Sequence, residues 1–143
     1  MSILIQSSFD TALHKLNNMV LPHKLIKIIG IINNLNVNIL IDTGASVSII
    51  FEHTINRLNI NYLIDTEEKS CLNGIGSNIS IGRLWYIDLN LDNLLYPISL
   101  VASNTTISDF DIILGINFLR NYNSSINFNT NQLILNNTHI ISF

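Results

Sequence analysis

The amino-acid sequence predicts a mainly β protein built as a single domain. Three observations carry this. Apolar and polar residues alternate with period two over most of the chain, and turn-forming residues recur at short intervals. A chain of 143 residues that is 48% hydrophobic also has core material for one domain rather than several. Residues 1–22 form an N-terminal extension, and residues 23–143 form the domain itself.

The elements follow in order. Residues 10–20 can form a short helix, because Leu13, Leu16 and Val20 recur at helical spacing and Pro22 ends the segment. An apolar strand runs from Leu25 to Ile32 and turns at Asn33-Asn34. The next strand puts Val37, Ile39 and Ile41 on one face, with Asn36 and Asn38 opposite, and runs straight into Asp42-Thr43-Gly44. A short strand, Val47 to Ile50, precedes a helical turn near Glu52 to Leu58. From Asn78 to Leu91 the alternation is long and places Ile79, Ile81, Trp85, Ile87, Leu89 and Leu91 on one face, with Trp85 packed in the core. This is one arm of a β-ribbon whose turn is Asn73-Gly74-Ile75-Gly76, where glycine permits positive φ. After an Asp92-Asn93 turn comes a strand from Tyr96 to Val101, with Pro97 suited to a sheet edge. Asp111 to Gly115 reads as a buried strand, followed by a short helix through Phe118, Leu119 and Tyr122. A final hairpin pairs Ile126 and Phe128 with Leu133 and Leu135.

Composition narrows the functional classes. Only 12% of residues are charged and the net charge is −3, so no basic patch can track a phosphate backbone and nucleic acid is not an expected partner. The apolar runs fall short of a membrane span, and the first ten residues lack the features of a signal peptide. The expectation is a soluble, unexported chain that does not engage a membrane. One cysteine, Cys71, cannot form an internal disulfide, which agrees with a reducing compartment. Triplets such as Asn104-Thr105-Thr106 arise by chance in so asparagine-rich a chain. The excess of Asn and Ile is read as base composition of the gene, without functional weight.

The informative segment is Leu40-Ile41-Asp42-Thr43-Gly44-Ala45-Ser46, an acidic residue delivered by an apolar strand onto a glycine turn. Asp-Thr-Gly alone is a weak signal, since Asp and Gly are common turn formers. Its company is more specific: a Gly-rich hairpin follows, then Ile113-Leu114-Gly115 about 70 residues further on.

With these segments in that order, the sequence resembles the retropepsin family of aspartic proteases from about Leu25 to Leu135. The resemblance implies a closed barrel with a flap hairpin and one or two short helices. It makes Asp42 catalytic, with Thr43, Gly44 and Ala45 as the active-site turn. It makes Gly74, Ile75 and Gly76 the flap tip, and Ile113, Leu114 and Gly115 the hydrophobic-hydrophobic-Gly element behind the turn. The stretch Phe118 to Asn123, with Ile126, Phe128, Leu133 and Leu135, looks most like proteases of plant pararetroviruses and related long-terminal-repeat retrotransposons. That likeness implies a polyprotein segment that cleaves polyprotein peptides in the host cytoplasm or an assembling virus-like particle. The chemistry needs two carboxylates that share a proton, and the chain has one Asp-Thr-Gly, so the expected active form is a homodimer. No cofactor is implied. The alternatives are a cellular retroviral-like protease and a catalytically silent dimerisation module of the same fold. Animal retroviral members commonly carry an Asp after Asp-Thr-Gly-Ala and an Arg after the later glycine, which form an ion pair. Here those positions are Ser46 and Ile116.

Other chemistries find less support. The spacing of Ser46, Cys71, His14, His23, His53 and His139 fits no nucleophilic triad, and His53 is expected on a helix face. No His or Cys cluster has metal-ligand spacing, so no metal site is expected. Gly74-Ile75-Gly76 and Gly82 lack the helix start and lysine of a phosphate loop.

Overall fold

The structure is a computed structural model that describes residues 3–20, 22, 24–68, 80–105 and 109–143, with side chains from residue 6 onward. Six strands close into a barrel in the order β1-β2-β6-β3-β5-β4. These are β1 (Lys27–Ile32), β2 (Leu35–Ile41), β3 (Ile49–Phe51), β4 (Ser80–Leu91), β5 (Leu94–Ser103) and β6 (Ile112–Leu114). Fold class and closed barrel agree with the sequence reading.

Alternation explains the walls. In β1 and β2 every second residue points inward: Ile28, Gly30 and Ile32 from one strand, and Val37, Ile39 and Ile41 from the other. Asn33 and Asn34 join them with φ of 52° and 64°, the pair of left-handed residues that a tight hairpin matching strand twist requires. Asp92-Asn93 joins β4 to β5 in the same way, with φ of 47° and 67°. The barrel closes through a short strand from far along the chain. β6 lies between β2, which it pairs in parallel, and β3, which it pairs antiparallel. Ile112, Ile113 and Leu114 are all buried, as expected for a strand covered on both faces.

The sequence reading of β4 is corrected in one respect. Leu84 pairs with Leu100 and Ile87 with Ile98, so Trp85 and Tyr86 together oppose the single residue Ser99 in a β-bulge. The extra residue reverses the alternation, and Leu84, not Trp85, enters the core. Trp85 is 55% exposed. Its indole N–H donates to Asp65 (2.8 Å), and Arg83 lies over its ring at 5.1 Å. That indole hydrogen bond, followed by the Glu67 backbone N–H, holds the Asp65 carboxyl below the ordinary carboxylate range.

The helices also differ from expectation. Helix α1 spans Ile3–Val20, earlier in start and longer than residues 10–20, because no Gly or Pro interrupts the segment before Pro22. Its side chains from Gln6 to Val20 are all exposed. Helices α2 (Glu52–Arg57) and α3 (Ile116–Asn121) lie where the sequence reading placed a helical turn and a short helix, and a 3-10 turn at Asn61–Leu63 was not foreseen. His53 lies on α2 as anticipated, stacked on Phe51.

After α3 the chain makes a three-stranded sheet, β7 (Ser125–Asn127), β8 (Gln132–Leu135) and β9 (His139–Ser142), rather than the expected hairpin. Ile126 pairs with Leu133 as foreseen. Phe128 does not join a strand and is exposed, its ring edge-on to Phe143. Leu133, Leu135 and Ile141 carry this sheet onto the barrel core. His139 on β9 stacks on Tyr96 of β5 and hydrogen-bonds its hydroxyl. The Gly74-Ile75-Gly76 flap and Cys71 lie outside the described residues.

Candidate active site

Strand β2 ends at Ile41, and Asp42 is the first residue of the turn that follows. Its backbone N–H donates to Leu114 O of β6 (3.0 Å), so the last rung of the β2·β6 ladder fixes where the side chain begins. The turn then folds back on that carboxylate. Gly44 N–H donates to Asp42 Oδ1 (2.8 Å), and Ala45 N–H donates to Asp42 O (3.2 Å). Asp42 is half-buried, whereas Thr43 and Gly44 are exposed. Among the described residues no ion pair or hydrogen bond joins Asp42 to another acid.

Gly115 lies against the back of this turn, which explains why a glycine closes the Ile113-Leu114-Gly115 element. A Cβ there would stand 2.5 Å from Val47 O and 2.6 Å from Ala45 O, and backbone carbonyls cannot move aside cheaply. The close approach lets Ile116 N–H reach Ala45 O (2.8 Å). Ile113, Leu114 and Gly115 are thus brought together with Asp42, Thr43, Gly44 and Ala45.

Two residues that the sequence reading passed over complete the arrangement. Ser48 Oγ accepts from Gly115 N–H (3.0 Å) and donates to Asn117 Oδ1 (2.8 Å), which also accepts from Phe118 N–H (2.8 Å). A signal for Ser48 was present, because it is a hydroxyl inside the apolar run Val47 to Phe51 and must find a partner if buried. Ser46 is exposed, and Ile116 packs against the core. Beside the turn lies a cavity of about 400 Å³, lined by Thr43, Ile116, Leu119, Arg120, Ser124 and Ile126 among others. Among the described residues no group of three or more His, Cys, Asp or Glu could hold a metal ion.

The other buried acid has a structural role. Asp111 is 8% exposed. Its carboxylate accepts from Asn38 N–H (2.8 Å) and the Thr54 hydroxyl (2.7 Å), with Arg57 at 3.0 Å and His53 at 3.5 Å. Burial alone pushes this carboxyl up, but the Asn38, Thr54 and Arg57 donors outweigh it and hold it below the ordinary range.

Comparison with known proteins places this geometry. Among curated proteins, "DNA damage-inducible protein 1" of Yarrowia lipolytica (strain CLIB 122 / E 150) is 25% identical over 129 residues, 90% of this chain and 32% of that protein. The chain therefore spans about a third of the length of that relative. Among solved structures, the retroviral protease-like domain of Ddi1 from Leishmania major superposes with a TM-score of 0.73 at 23% identity, covering 83% of this chain and 94% of that one. The EIAV protease complexed with the inhibitor HBY-793 gives 0.59 at 20% identity, over 74% and 95% of the two chains. A retropepsin-like aspartic protease from Rickettsia conorii gives 0.54 at 16%, over 71% and 75%. These structures share the retropepsin-like fold, and none of these likenesses is to a plant pararetrovirus or retrotransposon. The family model for aspartyl protease matches residues 18–127, most of the chain and all six barrel strands, and the chain belongs to the aspartyl protease family.

Proposed function

We propose that the chain is one half of an aspartic endopeptidase, completed by a second copy that brings its own Asp42 against the first. The observation that carries this reading is the placement of Asp42. A strand delivers the carboxylate, half-buried, to a turn that fixes it through Gly44 N–H, with no second acid joined to it among the described residues. Two carboxylates a few ångströms apart cannot both ionise, and they share one proton. The ionised member takes a proton from water, whose oxygen attacks the scissile carbonyl, while the protonated member gives its proton to the carbonyl oxygen. The tetrahedral diol then collapses: one hydroxyl gives its proton to the ionised carboxylate, and the C–N bond breaks. The nitrogen leaves with the proton of the other carboxyl, which restores the singly protonated dyad. Titration belongs to the pair and not to either residue.

Thr43, Gly44 and Ala45 shape the turn in this scheme, the peptide binds extended through strand-like hydrogen bonds, and the family resemblance assigns Gly74, Ile75 and Gly76 to the flap. The reaction calls on no metal or cofactor. The test compares purified wild type with Asp42→Asn, which removes charge and keeps shape. Peptide hydrolysis should fall at least about 10³-fold, with circular dichroism and sedimentation unchanged. Residual turnover within tenfold of wild type rules Asp42 out.

The substrate class has two readings. Likeness to the Ddi1 domain, both in sequence and in the solved structure, favours a cellular retroviral-like protease. The stretch Phe118 to Asn123 favours a polyprotein-processing enzyme that works in host cytoplasm or an assembling particle. Incubation with flanking precursor sequence separates them. Self-release that is lost with Asp42→Asn supports processing, and cleavage only in trans on other proteins supports the cellular reading.

A further inference from the structure

We propose that Ser48 and Asn117 are positioning residues for the Asp42 turn, forming a neutral hydrogen-bonded latch between the segment after the turn and the segment after β6. This rests on the endopeptidase reading above. Ser48 is fully buried, with 0% exposure, between apolar neighbours. Its backbone is already tied to β5, because Val101 N–H donates to Ser48 O (2.9 Å). Its hydroxyl is therefore a fixed post that receives Gly115 N–H and is itself held through Asn117 Oδ1. From Gly115 two further bonds run to the turn, Leu114 O to Asp42 N–H on one side and Ile116 N–H to Ala45 O on the other. Asp42 thus sits in a network of hydrogen bonds that reaches Ser48 through Gly115 and Asn117 through Ser48.

The geometry suits a serine in particular. One hydroxyl must accept and donate at once, and an alanine would leave Gly115 N–H buried without a partner. The carboxamide oxygen of Asn117 accepts twice, from Ser48 and from Phe118 N–H. An oxygen at that position is required, and its amide nitrogen is not. Among the described residues, the latch joins the segment after the turn to the segment after β6 through side chains.

The test uses the full chain and three variants, Ser48→Ala, Asn117→Leu and Asn117→Asp. Two quantities are read: kcat and KM at matched dimer fraction, and amide hydrogen exchange at Gly44 and Gly115. Misplacing a reacting carboxylate slightly lowers turnover more than ground-state binding. Ser48→Ala and Asn117→Leu should therefore lose about 10- to 100-fold in kcat with KM within about twofold, and should exchange both amides about tenfold faster. Asn117→Asp keeps the acceptor oxygen and should recover kcat to within about threefold of wild type. Unchanged kcat and exchange in Ser48→Ala overturns the proposal, as does an equal loss in Asn117→Leu and Asn117→Asp. Asn117 is exposed, so its two variants decide the matter even if Ser48→Ala fails to fold. If wild type cleaves no peptide, the endopeptidase reading falls, while exchange at Gly44 and Gly115 still decides whether the latch holds the turn.

Discussion

Asp42 follows the end of β2, and Asp111 precedes the start of β6, the strand beside it. Their surroundings separate their roles. Asp111 spends its carboxylate on Asn38, Thr54 and Arg57, and its own backbone N–H reaches Asn38 O (2.8 Å), so it staples β6 to β2 and to α2. Removing one member of a buried charge network strands the rest, and Asp111→Ala should cost about 3 kcal/mol of stability, read from the shift in urea midpoint. The pH dependence has a definite sign. With the folded pKa below the unfolded value of about 3.9, the unfolded chain binds more protons in that interval. The contribution is complete above about pH 5 and is lost as pH falls through the folded value. Stability of wild type should therefore drop below about pH 4 with a slope that Asp111→Asn reduces, the lowered Asp65 contributing with the same sign. Asp42 was legible in the sequence because strand, acid and glycine are contiguous. The Ser48 latch was not, since its partners Gly115 and Asn117 lie 67 and 69 residues away and only the barrel brings them near.

At the scale of elements, β6 is only three residues long, yet its last residue and the glycine after it hold the Asp42 turn. Gly115→Ala tests this. The added Cβ meets two carbonyl oxygens of the turn segment at under 3 Å, so the segment must shift. The expected loss is about 2 kcal/mol in stability and more than tenfold in turnover, measured by denaturant midpoint and by kcat at conditions where the variant is folded. Period-two alternation located β1, β2 and β5 well. It failed at Trp85 because a one-residue bulge inverts every side chain on one side of it, and nothing in the local sequence announces the inversion. It also missed β9, whose four residues carry no turn-to-turn alternation long enough to stand out. The asparagines dismissed as base composition have a physical use. All nine positive-φ non-glycine residues among those described are Asn or Asp, the side chains that tolerate that conformation best after glycine.

For the whole molecule, the proposed sharing of a site between copies predicts that activity depends on concentration. Specific activity should fall on dilution in step with the loss of dimer seen by sedimentation, and Asp42→Asn added to wild type should poison it beyond simple dilution. Constant specific activity in a sedimenting monomer contradicts the shared site. The closed barrel adds a consequence in time. Strand β6, which completes the wall between β2 and β3, follows β2 by about 70 residues, while β1–β2 and β4–β5 are local hairpins. Pairings between distant segments form late, after loop closure has been achieved. On a ribosome, the Asp42 turn emerges well before Leu114 and Gly115 exist to hold it. The turn takes its final geometry only when that last stave drops into place.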